Sequence, residues 1–93
     1  MKICAVITSF NIGNEFRENF LSYVNDLDYL VIVDNSSNED TKEMLRDLAK
    51  DYQHKVNLVI NDQNLGLARA QNIGVRIALE LSYDFILSFD TTT

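Results

Sequence analysis

The chain has 93 residues, which limits it to one small domain. With 46% hydrophobic and 24% charged residues, it has enough apolar material for a packed core, which argues against intrinsic disorder. A net charge of −6 without a cluster of Lys or Arg disfavours nucleic acid and anionic membranes as partners. No apolar run approaches the roughly 20 residues of a membrane span. No signal peptide precedes the first strand, so we expect a cytoplasmic location, the inner face of the membrane included.

Four short apolar runs predict β-strands. The first two do not alternate polar and apolar residues, which is typical of central strands covered by helices on both faces. In chain order the four runs are residues 2–9, 29–33, 56–60 and 85–89. The second run leads directly into Asp34 and a polar turn, so it brings a carboxylate to the rim of the sheet.

Three amphipathic stretches predict helices between these strands. They run from residue 15 to about 25, from 39 to 52, and from about 65 to 81. Asn11 or Asn14 is predicted to cap the first helix, and a capping box of Ser37 with Asp40 the second. The β-α-β-α-β-α-β order predicts a four-stranded, mainly parallel sheet, half of a doubly wound α/β fold. The fourth strand would be paired on one side at most, and its open edge predicts self-association of the chain.

Several familiar sites are missing from the sequence. There is no Gly-x-Gly-x-x-Gly, no Gly-Lys-Ser/Thr phosphate loop, no His-Glu-x-x-His and no nucleophile elbow. The polar residues that remain follow the strands, and parallel strands bring such residues to one rim. They are Thr8, Ser9 and Phe10 after the first strand, Asp34 and Asn35 after the second, residues 61–64 after the third, and Asp90 after the fourth.

This rim suits a nucleotide. Asp34 can accept hydrogen bonds from a base or ribose, and Phe10 offers a flat face to a base. Asp90 can hold a divalent cation on a diphosphate, because hard cations prefer carboxylate oxygens. The helix start near Gly66 offers free N–H groups to the same space. Simpler interpretations stay open, since Asp34 can cap the next helix and Asp90 can be an ordinary strand-end acid.

The lone cysteine is predicted to be structural. Cys4 lies inside the first apolar run and has no second cysteine to pair with. We therefore expect a small, buried core residue at this position.

Three segments resemble a known family. They read Val-Ile-Thr-Ser-Phe-Asn at 6–11, Val-Ile-Val-Asp-Asn-Ser-Ser at 31–37, and Asn-Leu-Gly-Leu-Ala-Arg-Ala-Gln-Asn-Ile-Gly at 64–74. Together they resemble the N-terminal, nucleotide-binding half of a family-2 inverting glycosyltransferase of the GT-A fold. The third segment, similar to the family pattern Asn-x-Gly-x-Ala-x-Ala-x-Asn-x-Gly, is the most specific. The second and third together are most similar to the rhamnosyltransferase-like branch.

The resemblance implies roles for the rim residues. In the family the fourth strand ends in Asp-x-Asp, whose acids hold Mg²⁺ or Mn²⁺ on the diphosphate. Here Asp90 is the first acid, but Thr92 replaces the second, so a weaker hold on the metal is expected. The residues implied in nucleotide binding are Thr8, Phe10, Asp34, Asn64, Gly66 and Asp90, with Asp90 also as the metal ligand.

The resemblance also implies what residues 1–93 lack. Inverting transfer needs a general base, which in the family is an acid in the second half of the domain, together with the acceptor site. The chain is therefore expected to be a truncated donor-binding half that is inactive alone. The parent enzyme would move a sugar, such as rhamnose from dTDP-rhamnose, to a saccharide acceptor in bacterial surface polysaccharide synthesis.

Two other functions are alternatives to sugar transfer. A non-catalytic or degenerate nucleotide-binding α/β module is the main alternative, because one acid of Asp-x-Asp is missing. A phospho-acceptor regulatory domain would need an acidic pair after the first strand, and Thr8-Ser9-Phe10-Asn11 supplies none.

Overall fold

The computed structural model describes residues 2–90 and confirms the predicted alternation of strands and helices. A short 3-10 turn, Val24–Asp26, follows the first helix. The strands are β1 (Ile3–Ser9), β2 (Tyr29–Asp34), β3 (Val56–Ile60) and β4 (Phe85–Asp90). The helices are α1 (Asn14–Tyr23), α2 (Glu39–Asp51) and α3 (Leu67–Glu80). In this described part of the chain, no helix is long and apolar enough to cross a membrane.

The sheet is parallel throughout, with the strand order β3-β2-β1-β4. The chain moves outward from β1 to β2 and β3, and α3 then carries it across to β4 on the other side of β1. This reversal of direction makes a switch point at the carboxyl end of β1, where open α/β sheets bind ligands. The predicted half of a doubly wound fold is therefore confirmed.

Two apolar cores cover the two faces of the sheet. Ala5 and Ile7 of β1 face one core, which contains Phe20 of α1 and Leu45 of α2. The other core lies under α3 and includes Cys4. Because successive strand residues point to opposite faces, β1 contributes to both cores in turn. Each fully buried large side chain, such as Phe20, contributes about 1.5–3 kcal/mol to folding.

Cys4 is fully buried, as predicted. Burial raises the pKa of its thiol to about 11, because the charged thiolate would lose its hydration. The thiol therefore stays protonated at neutral pH and acts as a small apolar residue.

The predicted helix caps are wrong. The N-cap of α1 is Gly13, and no side chain caps this helix, so neither Asn11 nor Asn14 does. The N-cap of α2 is Asn38, whose Oδ1 accepts from the N–H of Thr41 at 2.9 Å. Ser37 instead donates to the Asp34 carboxylate, and a charged acceptor outcompetes the local capping box.

Gly74 allows α3 to lie close to the centre of the sheet. A Cβ added at this position would overlap Cγ1 of Val6 and come within 3.2 Å of Cγ2 of Val33. Val6 and Val33 are fully buried and β-branched, so neither side chain can easily turn away. The close contact of α3 with β1 and β2 therefore depends on a residue without a side chain.

We predict that Gly74→Ala destabilises the protein by about 1–3 kcal/mol, because it overpacks a dry interface. In an uncrowded helix the same change would stabilise the protein by up to about 1 kcal/mol. The direction of the change in unfolding free energy therefore shows whether the site is crowded. Urea unfolding followed by circular dichroism measures the difference. Adding Val6→Ala removes the overlapping methyl group, so the double variant should lose less stability than the two single losses added together. Additive losses would show that the contact does not limit packing.

Candidate functional site

A cleft of about 250 Å³ opens at the carboxyl edge of the sheet. It lies at the switch point, between the loop after β1 and the start of α3. Four of the predicted nucleotide-binding residues meet there, which sequence spacing alone could only suggest. Its lining consists of Thr8, Ser9, Phe10, Asn35, Asn64, Gly66 and Leu67.

Phe10 is the aromatic side of this cleft. It follows directly after β1, and 37% of its surface is exposed, so part of its ring is accessible at the cleft. Asn11, the next residue, has a positive φ of 50°, which turns the chain sharply away from the strand. The turn keeps Phe10 at the rim, where a flat ligand can stack on its ring.

Asp34 lies below the cleft and is fully buried. Its Oδ1 accepts from the hydroxyls of Ser9 at 2.9 Å and Ser37 at 2.5 Å, and its Oδ2 accepts from the Ser37 N–H at 2.9 Å. The carboxylate thereby joins the end of β1 to the loop before α2. It does not cap α2 itself, because Asn38 does. Contact between Asp34 and a nucleotide base stays a prediction, since no part of its side chain lines the cleft.

Asn35 ties the loop before α3 to the end of β2. Its Oδ1 accepts from the N–H of Leu65 at 3.1 Å and from the side-chain amide of Asn61 at 3.1 Å. Its Nδ2 donates to the Gly66 carbonyl at 3.2 Å. Sequence reasoning placed Asn35 on the rim without this role. The sequence signal for this role was an amide residue directly after the strand-end acid, because an amide side chain can donate and accept hydrogen bonds at once.

Gly66 shapes the start of α3. Its φ of +87° with a ψ of 159° is a conformation that residues with a side chain rarely adopt. The Gly66 N–H donates to Oδ1 of Asn64 at 2.8 Å, which closes a tight local turn. No side chain caps α3, so the N–H groups of its first turn are open to an anion at the cleft.

The metal prediction falls largely outside the described residues. Asp90 lies opposite Thr8 in the register of β4 with β1, so its backbone reaches the cleft rim. Its side chain and Thr92 lie outside the part of the chain that the structure describes. Between residues 2 and 90, no group of three or more His, Cys, Asp or Glu is placed to hold a metal ion. Metal binding by Asp90 therefore stays a prediction.

Comparison with known proteins gives one family. Residues 4–90 match the family model described as glycosyl transferase family 2. The dTDP-rhamnosyl transferase RfbF of Shigella flexneri is 42% identical over 62 residues, which cover 67% of this chain and 19% of that protein. An uncharacterized protein of Methanocaldococcus jannaschii is 33% identical over 91 residues, which cover 92% of this chain and 38% of that protein. The chain thus spans well under half the length of these curated relatives, and the family resemblance found in the sequence is confirmed.

We predict that Asn35→Ala destabilises the protein by about 1–3 kcal/mol, because it leaves three polar groups without their partner. Ser36→Ala is the matched control. It removes one hydroxyl that donates to the Asp62 carbonyl at 3.3 Å in an exposed position, so a change within about 0.5 kcal/mol is expected. Urea unfolding measures both. Equal losses for the two variants would contradict the role given to Asn35.

Proposed function

Because the chain belongs to glycosyl transferase family 2, we propose that it forms the donor-binding part of a glycosyltransferase, which holds the nucleotide of an activated sugar. One observation carries this proposal. Thr8 and Phe10 around the end of β1 and Asn64 and Gly66 before α3, two segments that are far apart in the sequence, line a single cleft at the switch point of the sheet. That is where open α/β folds place nucleotide ligands.

In this proposal the base stacks on Phe10 and the phosphates approach the start of α3. The volume of about 250 Å³ is below the roughly 300–1,000 Å³ of pockets that enclose a whole small molecule. The cleft therefore suits the base and ribose of a nucleotide better than a complete nucleotide sugar. The open first turn of α3 would favour the negative phosphates, since no basic side chain lines the described cleft.

Asp34 has two alternative roles in donor binding, one indirect and one direct. Its three hydrogen bonds hold Ser9 beside the cleft, which supports an indirect role in shaping the pocket. A direct hydrogen bond to a base or ribose would require its buried carboxylate to become accessible. We propose that the indirect role operates in the free protein, and that the second oxygen, Oδ2, has capacity for one more donor.

A divalent cation, Mg²⁺ or Mn²⁺, is proposed at Asp90. When bound, it would neutralise charge on the diphosphate leaving group. The lining residues offer only neutral hydroxyl and amide oxygens, so the Asp90 carboxylate would be the charged ligand. With Thr92 in place of a second acid, metal binding would be weaker than at an Asp-x-Asp site.

The whole protein is proposed to transfer a sugar, such as rhamnose from dTDP-rhamnose, to a saccharide acceptor on the cytoplasmic side of the membrane. The rhamnosyl part rests on the similarity to the Shigella flexneri transferase. Of the described residues that line the cleft, none has a side chain that could serve as a general base near neutral pH. In this proposal the general base and the acceptor site belong to the rest of the parent protein, and the 93 residues bind donor without transferring sugar.

Calorimetric titration with dTDP, UDP and GDP, each with and without Mn²⁺, tests the proposal. We expect saturable binding, tightest for dTDP. Phe10→Ala should weaken it about 5-fold to 150-fold, because stacking of a base on an aromatic ring contributes about 1–3 kcal/mol. Phe85→Ala is the control, since it removes an aromatic ring that is 51% exposed, against 37% for Phe10, and does not line the cleft.

The outcomes separate the alternatives. Absence of saturable binding to all three nucleotides contradicts donor binding by this chain. Binding that depends on Phe10 but is unaffected by Mn²⁺ favours the nucleotide-binding module without Asp-x-Asp chemistry. The replacement of the second acid by Thr92 is the observation behind that second candidate.

A further inference from the structure

Leu67 places a second apolar side chain at the cleft. Among the described residues that line the cleft, it is the one apolar side chain besides Phe10. It is the first residue of α3, and 42% of its surface is exposed. Because the cleft lies between the loop after β1 and the start of α3, Phe10 and Leu67 belong to different walls. A planar base stacked on Phe10 would therefore find its second apolar contact in Leu67.

Asn64 offers a hydrogen-bond donor to the same cleft. Its Oδ1 accepts from the Gly66 N–H at 2.8 Å, which determines which end of the amide is the oxygen. Its Nδ2 donates to no acceptor among residues 2–90, and the side chain is exposed. A ligand group that reaches Nδ2 must therefore be an acceptor, because an amide nitrogen does not accept hydrogen bonds.

The two side chains match two neighbouring groups of one base. Asn64 and Leu67 lie on either side of Gly66, so a donor and an apolar contact occur together at the start of α3. On the edge of thymine, the O4 acceptor lies next to the C5-methyl group. Uracil has O4 but lacks the methyl group, and cytosine has an amino donor in place of O4.

We propose that Leu67 and Asn64 select thymine among the pyrimidine bases. Leu67 packs on the C5-methyl group, and Asn64 Nδ2 donates to O4. This inference rests on the proposed donor-binding function and adds the residues that distinguish the base. Phe10 contributes affinity without this selectivity, because every base has a flat face that can stack.

The turn at Gly66 prevents Asn64 from adapting to cytosine. Rotating the amide by half a turn would present Oδ1 to the cytosine amino group, but it would also bring Nδ2 to the Gly66 N–H. Two donors would then face each other, and the Gly66 N–H would lose its acceptor. The hydrogen bond within the turn therefore keeps the Nδ2 donor available to the ligand.

Calorimetric titration with dTDP and dUDP tests the role of Leu67, because the two ligands differ only in the C5-methyl group. Burial of one such group predicts about fourfold tighter binding of dTDP to the native chain. Leu67→Ala should bring the ratio of the two dissociation constants close to one. Leu79→Ala is the matched control, since Leu79 is 64% exposed on α3 and does not line the cleft. It should keep the native ratio.

Asn64→Asp tests the donor without removing the turn, because an aspartate oxygen can still accept from the Gly66 N–H. The native chain should bind dUDP about 2-fold to 13-fold tighter than dCDP, which corresponds to one hydrogen bond. The variant should lose or reverse this preference, since its carboxylate accepts from the cytosine amino group. The added charge acts on the same diphosphate in both ligands, so the ratio isolates the base. Asn72→Asp adds the same charge on α3 outside the cleft and should keep the native ratio.

The outcomes separate this inference from the proposed function. Equal dissociation constants of the native chain for dTDP, dUDP and dCDP would overturn the selection of thymine and leave donor binding intact. A native ratio that persists in Leu67→Ala or in Asn64→Asp would overturn the role of that residue. Absence of saturable binding of all three ligands would contradict donor binding itself, and this inference with it.

Discussion

The rim of the sheet depends on the buried carboxylate of Asp34. A charge without exposure to water is very unfavourable unless hydrogen-bond donors surround it. Here two hydroxyls and one backbone N–H supply them, from Ser9 at the end of β1 and Ser37 in the loop before α2. The requirement to satisfy one anion therefore fixes two loops that are separated in sequence. Ser37 in turn accepts from the N–H of Asn11, which orders the turn after Phe10.

The walls of the cleft depend on Asp34 and on the residue that follows it, Asn35. Asn35 follows Asp34 directly after β2 and holds the loop before α3 through Leu65 and Gly66, so both walls of the cleft are tied to two adjacent residues at the end of this strand. The residues that line the cleft are uncharged. This arrangement is consistent with the membership in glycosyl transferase family 2 and with the proposed stacking of a base on Phe10.

The sequence was sufficient to predict the strands and helices but not the tertiary contacts between them. Continuous apolar runs located β1 to β4 within about one residue, because a buried strand needs side chains suited to both faces. The capping box at Ser37 failed because a local pattern cannot show a competing acceptor, Asp34, that folding brings near. The contact of Gly74 with Val6 depends on how closely α3 packs, which no spacing encodes. The rim residues were predictable because parallel strands share one carboxyl edge.

The central claim is that Asp34 stabilises the rim through its hydrogen bonds with Ser37. A double-mutant cycle with Asp34→Asn and Ser37→Ala, measured by urea unfolding, tests it most directly. We predict that each change alone destabilises the protein and that the two are strongly non-additive, with an interaction energy of about 0.5–3 kcal/mol. Additive losses would contradict the account, because they would show that the carboxylate and the serine stabilise the rim independently.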